Sequence, residues 1–215
     1  MMTAVAVAVT VHRDRVPTDS AAHAEALGVL RILEAVTPLP RRPDRDDYQR
    51  TAFGMAWSDA VSVTGGHNGC DTRNDILSRD LSDVTVGPAR SCATAVVRGE
   101  LRSPYTGDVV MFRRDRAAAA VQIDHIVPLA YSWDMGAWSW DSVRRMDFAN
   151  DPANLVAVDA ASNQVKSDAE PAEWMPTLSG FRCRYSIQFV RVVVAYGLGV
   201  DAPSVRVLRQ ALEQC

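Results

Sequence analysis

Runs of strand length are confined to the middle of this chain, and segments with helical spacing lie at both ends. Residues 93–101 and 109–112 lean toward β structure across the turn-rich SPYTGD at 103–108, which reads as a hairpin. A third run at 118–123 leads straight into Asp124 and His125, and NLVAV at 154–158 supplies a further strand. Residues 19–36 read as an amphipathic helix, with Asp19 or Ser20 as N-cap and Leu27, Leu30, Ile32 and Leu33 on its apolar face. A Pro-rich connector at 37–47 runs into a second helix expected over 46–61, which turns Tyr48, Phe53 and Trp57 toward the core. Asp159 is placed to cap a helix over 159–168. Residues 184–196 read as a helix stopped by Gly197 and Gly199, and a last helix opens on Pro203 and runs to 214. This order implies an α+β fold, helices flanking a small antiparallel sheet, as one domain over 19–215 behind a tail at 1–18.

Composition narrows the class of protein. At 47% hydrophobic and 23% charged over 215 residues, the chain has material for a sizeable core, which excludes disorder, collagen and a coiled coil. No apolar run reaches the ~18 residues of a membrane helix, so no membrane partner is expected. The net charge of −3 argues mildly against a nucleic-acid binder while leaving room for a local basic groove. There are 22 Arg and a single Lys, Lys166, whose retention needs a reason.

Cys70, Cys92, Cys183 and Cys215 include no CxxC pair and no adjacent His, so zinc is disfavoured. Proximity favours Cys70–Cys92 and Cys183–Cys215, each worth roughly 3 kcal/mol, and the second would anchor a terminal residue. Four buried thiols in a cytoplasmic protein are the alternative. TAVAVAVTV at 3–11 has the length of a signal-peptide core but no basic residues before it, so it reads as a clipped signal or a tail.

The chemistry gathers around one unit. The strand ending in Asp124-His125 is followed 29 residues after the His by Asn154, which opens the next strand. Asn163 lies 9 residues further on, and Lys166 a further 3, so the last two share a helix face. Neighbours on a strand point oppositely, so the chain is expected to bend at Asp124-His125 for both to converge.

DHIVP, NLVAV and SNQVKSD at these spacings resemble the HNH signature of ββα-metal endonucleases, as in the nuclease domains of RNA-guided and GmrSD-type modification-dependent restriction enzymes. YQRTAFGMAW, NGCDTRNDIL, SPYTGDVVMF, FANDPANL and EWMP extend the likeness to a secreted bacterial HNH family over residues 27–215. The resemblance implies a ββα core at about 118–168 and a DNA endonuclease that leaves 5′-phosphate and 3′-hydroxyl ends. Asp124 and Asn163 would hold Mg²⁺ or Mn²⁺, and Asn at the third signature position favours Mg²⁺ over Zn²⁺. His125 would be the general base, Asn154 would pin the loop and orient the imidazole, and Lys166 would neutralise charge on the phosphate. It further implies secretion, DNA as partner without strong sequence preference, and no organic cofactor.

Other residues carry two readings. Arg73 either clamps substrate phosphate or pairs with Asp71 or Asp75, and Arg113, Arg114 and Arg116 either track a phosphate backbone or are solvated. His67 reads as a loop residue rather than a second metal ligand, and Trp133, Trp138 and Trp140 as core rather than base-stacking residues. Two rival functions remain: a non-catalytic nucleic-acid or partner-binding module on the same fold, and a disulfide-stapled secreted structural protein.

Overall fold

The computed structural model describes residues 20–215. The tail or signal remnant and the Asp19 cap lie outside them. Seven helices and five strands follow one another in the described residues, in two antiparallel sheets, so the fold is α+β.

Helix α1 (Ser20–Glu34) packs against α6 (Ser179–Tyr196) and α7 (Ala202–Glu213). Its buried stripe is Ala26, Val29 and Leu33, an i, i+3, i+7 row. Leu27 and Ile32, assigned to that face from sequence, are exposed at 41% and 43% because two helices cover only one narrow side.

The second helix expected over 46–61 does not form. A 3₁₀ turn at Arg50–Phe53 ends on Gly54 at φ 79°, and Trp57 follows at φ 60°, both left-handed. Gly is a poor interior helix residue. Here the loop also binds α4 (Ser142–Asn150) directly: the Arg145 guanidinium donates to the Ala52 carbonyl at 2.9 Å, and the Ser62 amide to Asp147 at 2.8 Å. Phe53 is buried as expected.

Helix α2 (Thr72–Asp80) precedes a sheet of three strands: β1 (Ser82–Ala89), β2 (Cys92–Arg102) and β3 (Val109–Arg113). The β2–β3 pair is the expected hairpin, from Arg98 opposite Arg113 to Arg102 opposite Val109. Strand β1 escaped the sequence reading because it is an exposed edge, with irregular register and Gly87-Pro88 inside it.

Strands β4 (Val121–His125) and β5 (Leu155–Asp159) form a separate antiparallel pair, and α5 (Ala160–Lys166) follows β5 directly. Between them lie α3 (Leu129–Asp134) and α4. Strand β5 is buried on both faces: Leu155 and Ala157 join a core with Ile76, Phe112 and Ile123, while Val156 and Val158 join a larger one with Tyr105, Tyr185 and Phe189. Four helices start on an aspartate whose carboxylate accepts a backbone N–H of the first turn: Asp71 for α2, Asp141 for α4, Asp159 for α5 and Asp201 for α7. Helix α6 ends on Gly197 in the left-handed region, as its sequence implied.

Both expected disulfides are present, Cys70–Cys92 and Cys183–Cys215, and no described cysteine is free. The first joins the segment capping α2 to the start of β2. Trp133 and Trp140 pack with Phe53 and Phe148, whereas Trp138 stays half exposed.

Candidate active site

The β4–β5 register places Asp124 opposite Val156 and His125 opposite Leu155. The two side chains leave opposite faces of β4, as strand geometry requires, with no bend. Both still border one cleft of about 610 Å³, because His125 is the last residue of the strand. Asn163, Gln122 and Arg50 line the same cleft.

On one face, the Asp124 carboxylate accepts hydrogen bonds from the Tyr105 hydroxyl and from the Lys166 ammonium, whose Nζ lies 2.8 Å from Oδ2 and 3.1 Å from Oδ1. Burial and the Asp124 charge push the Tyr105 phenol well above its ordinary pKa, so it stays a donor. The third Lys166 proton goes to the His125 carbonyl at 2.8 Å. Lys166 is fully buried, behind the carboxylate and 6.0 Å from the centre of the Trp174 ring. This differs from the phosphate-neutralising lysine expected from sequence. Of Asn163 and Lys166 only Asn163 lines the cleft, and the buried cation takes the nearest carboxylate.

On the other face, His125 Nε2 lies 2.8 Å from the Ala149 carbonyl. A carbonyl only accepts, so Nε2 carries the proton in the neutral ring and Nδ1 holds the lone pair. Burial pulls the imidazole pKa down to about 4, against a smaller raising effect of the Ala149 bond, so the ring is neutral at pH 7. The Trp57 indole lies against it, with ring centres 5.9 Å apart and planes 13° from parallel.

Asn154 sits in a 3₁₀ turn just before β5. Its amide receives the Val127 N–H at 2.8 Å and donates to the Val127 carbonyl at 3.2 Å, while its own carbonyl accepts from Ile126 at 2.8 Å. It therefore pins the loop after His125. It does not touch the imidazole, which Ala149 and Trp57 hold instead.

The Asn163 amide nitrogen donates to Gln122 Oε1 at 2.7 Å, which leaves its carbonyl oxygen without a partner among the described residues. A carboxylate offers about four lone-pair sites, of which Tyr105 and Lys166 engage three. One carboxylate site and one amide oxygen on a shared cleft are hard donors that fit a divalent ion keeping most of its water. The Lys166 charge makes this a weak site. Among the described residues there is no cluster of three or more His, Cys, Asp or Glu for a metal.

Arg73 and Arg114 lie apart from this cleft, and both help hold the fold. Arg73 Nη2 donates to the Ala118 and Val121 carbonyls, each at 2.8 Å. Arg114 donates to the Val96 carbonyl at 2.7 Å and to Asn74 at 3.0 Å. Arg73 has no Asp71 or Asp75 ion pair, because the carbonyls capture its guanidinium first. His67 is a loop residue at φ 61°.

Tyr105, Trp57, Gln122 and Arg50 were missed as site residues. Gln122 had a signal, being two positions before Asp124 on the same strand face. Tyr105 lies in the SPYTGD turn, where nothing in the neighbouring sequence marks it as a site residue.

Residues 71–198 match the family described as GmrSD restriction endonucleases, C-terminal domain. The chain belongs to this family. An uncharacterized secreted protein of Arthroderma benhamiae is 36% identical over 186 residues, covering 86% of this chain and 83% of the relative. No solved structure matches the chain. The GmrSD match spans the whole of the β4–β5–α5 unit and the three-stranded sheet, and its description points to a nuclease-related role. No helix among the described residues is long and apolar enough to cross a membrane.

Proposed function

We propose that this protein is a secreted, metal-dependent HNH-type endonuclease that hydrolyses DNA phosphodiester bonds, with β4, β5 and α5 as its ββα core. The observation that carries the reading is the imidazole of His125. Its Nε2–H is committed to a carbonyl, its Nδ1 is left as a base, and it is neutral at pH 7 beside hard oxygen donors. Family membership and the two disulfides support the substrate class and the oxidising compartment.

In this reading His125 Nδ1 takes the proton of the attacking water, a contribution typically worth ~10²–10⁴-fold. Trp57 and Ala149 hold the ring so that this nitrogen keeps one direction. Asp124 and Asn163 would hold Mg²⁺ or Mn²⁺, which would supply charge neutralisation for the phosphate and the leaving 3′ oxygen. Tyr105 and Lys166 fix the Asp124 carboxylate, so Lys166 acts as a positioning residue. Arg50, exposed at the cleft and without an ion pair among the described residues, takes the phosphate-facing role first expected of Lys166. Its charge already reaches the imidazole, where it opposes protonation.

The test is plasmid cleavage by wild type and His125→Ala with Mg²⁺, Mn²⁺ or EDTA. The expected result is cleavage by the wild type only with metal, reduced ~10²-fold or more in the variant. Equal cleavage by both proteins would remove His125 from the mechanism. DNA binding without cleavage by either would favour the binding-module reading.

A further inference from the structure

Trp57 lies against His125, which borders the active-site cleft, and with His125 and Arg50 it lines a small pocket beside it. It also walls a second cleft lined by Arg73, Arg114, Arg90 and Asp71. This second cleft is strongly positive in a chain of net charge −3. None of its three arginines makes an ion pair among the described residues, and Asp71 is turned to its helix, accepting the Asn74 amide at 2.8 Å. Burial and then the Arg114 charge lower the pKa of Arg73, and the nearby Asp71 charge offsets only part of this, so the two guanidiniums still repel each other. Backbone carbonyls fix the orientation of both, through one side of each fork. Arg90 adds an exposed guanidinium from the β1–β2 turn, where it sits at φ 50°. The Cys70–Cys92 disulfide ties the two walls together at the base, next to Asp71 and Arg90.

Like charges held together by the fold need an anion to be relieved. The anion available to a protein with this active site is the next stretch of the same DNA strand, which carries a charge about every 3.4 Å along its axis. We infer that the Arg73–Arg114–Arg90 cleft is a second phosphate subsite, which grips the DNA backbone a few nucleotides from the scissile bond, with Trp57 touching both this cleft and His125. The inference rests on the nuclease reading for its substrate class. It adds a binding locus outside the HNH core, and it accounts for grip without base-edge contacts, hence for weak sequence preference.

The test is equilibrium binding of a fluorescent DNA duplex in EDTA, followed by anisotropy over a range of salt, so that no turnover enters. Arg90→Asn keeps a residue tolerant of φ 50° and removes the charge, and Arg114→Gln removes a second. Each variant is expected to weaken binding alike for unrelated sequences and to reduce the slope of log K against log salt by about 0.9. Arg206→Ala, on the exposed side of α7, is the control that leaves the slope unchanged. If Arg114→Gln fails to fold, Arg90→Asn alone decides. Slopes unchanged in the folded variants, or no DNA binding by the wild type, overturn the subsite. Cleavage is scored separately with metal, so wild-type protein that shows the slopes but no turnover loses the nuclease reading and keeps the subsite.

Discussion

The Lys166 ammonium meets the Asp124 carboxylate at 2.8 Å inside the protein, and the only lysine of the chain is also among its largest fully buried side chains. Arg would not substitute easily there. A compact ammonium can reach both carboxylate oxygens and a carbonyl from one point, while a planar fork needs more width. Removing one partner strands the other. Lys166→Met is therefore expected to cost about 3–5 kcal/mol in denaturant unfolding, and Asp124→Asn combined with Lys166→Met to recover part of it. A loss below 1 kcal/mol for the single variant would show that the pair is not buried.

The imidazole gives the stability a pH dependence of known sign. Folded His125 titrates at about 4, below its unfolded value of ~6.5, so between those values the unfolded chain binds the extra proton. Stability from this group is full above about pH 6.5 and is lost as pH falls toward 4. The loss is about 3 kcal/mol by the end of that window. Denaturant midpoints of wild type and His125→Gln between pH 4 and 7.5 check this, since the variant should lack that part of the slope.

Trp57 sets backbone strain against a catalytic contact. A bulky residue at φ 60° costs about 1–3 kcal/mol, and strain of this kind collects at functional sites. Trp57→Gly should relieve the strain while losing the ring that lies on His125. The expected outcome is a small change in unfolding free energy with a drop in cleavage rate of about tenfold. A large loss of stability with full activity would make Trp57 merely a packing residue.

Both disulfides close loops, of 22 and 32 residues by sequence separation. Each should contribute about 3 kcal/mol. Reduction is expected to lower the thermal midpoint markedly, and alkylation of unreduced, denatured protein should label no thiols. Labelling of all four cysteines would place the protein in a reducing compartment.

Much of this was legible in the sequence where local chemistry decides. The Asp159 cap, the Gly197 stop, the β2–β3 hairpin and both cysteine pairs follow from residues within a few positions or from proximity along the chain. The meeting of Asp124, His125 and Asn163 at one cleft was legible because their spacing is a pattern of chain order. What escaped depends on tertiary contact. Lys166 reads as a phosphate ligand until its buried contacts with Asp124 and the His125 carbonyl are known. The loop around Trp57 carries helix-like apolar residues, yet α4 binds its Ala52 carbonyl and Ser62 amide and Gly54 breaks it. Arg73 and Arg114 were named for their charge, and only the fold tells which carbonyls they meet.

Strand β5 has no wet face, since its side chains divide between two separate cores. Such a strand has no cheap local opening, because exposing either side means dismantling the packing behind it. The amide protons of residues 155–158 should then exchange with solvent only through global unfolding. The β4–β5 pair that carries Asp124 and His125 thus keeps its shape for as long as the molecule stays folded, and motions needed to admit a bulky duplex fall to the loops around it.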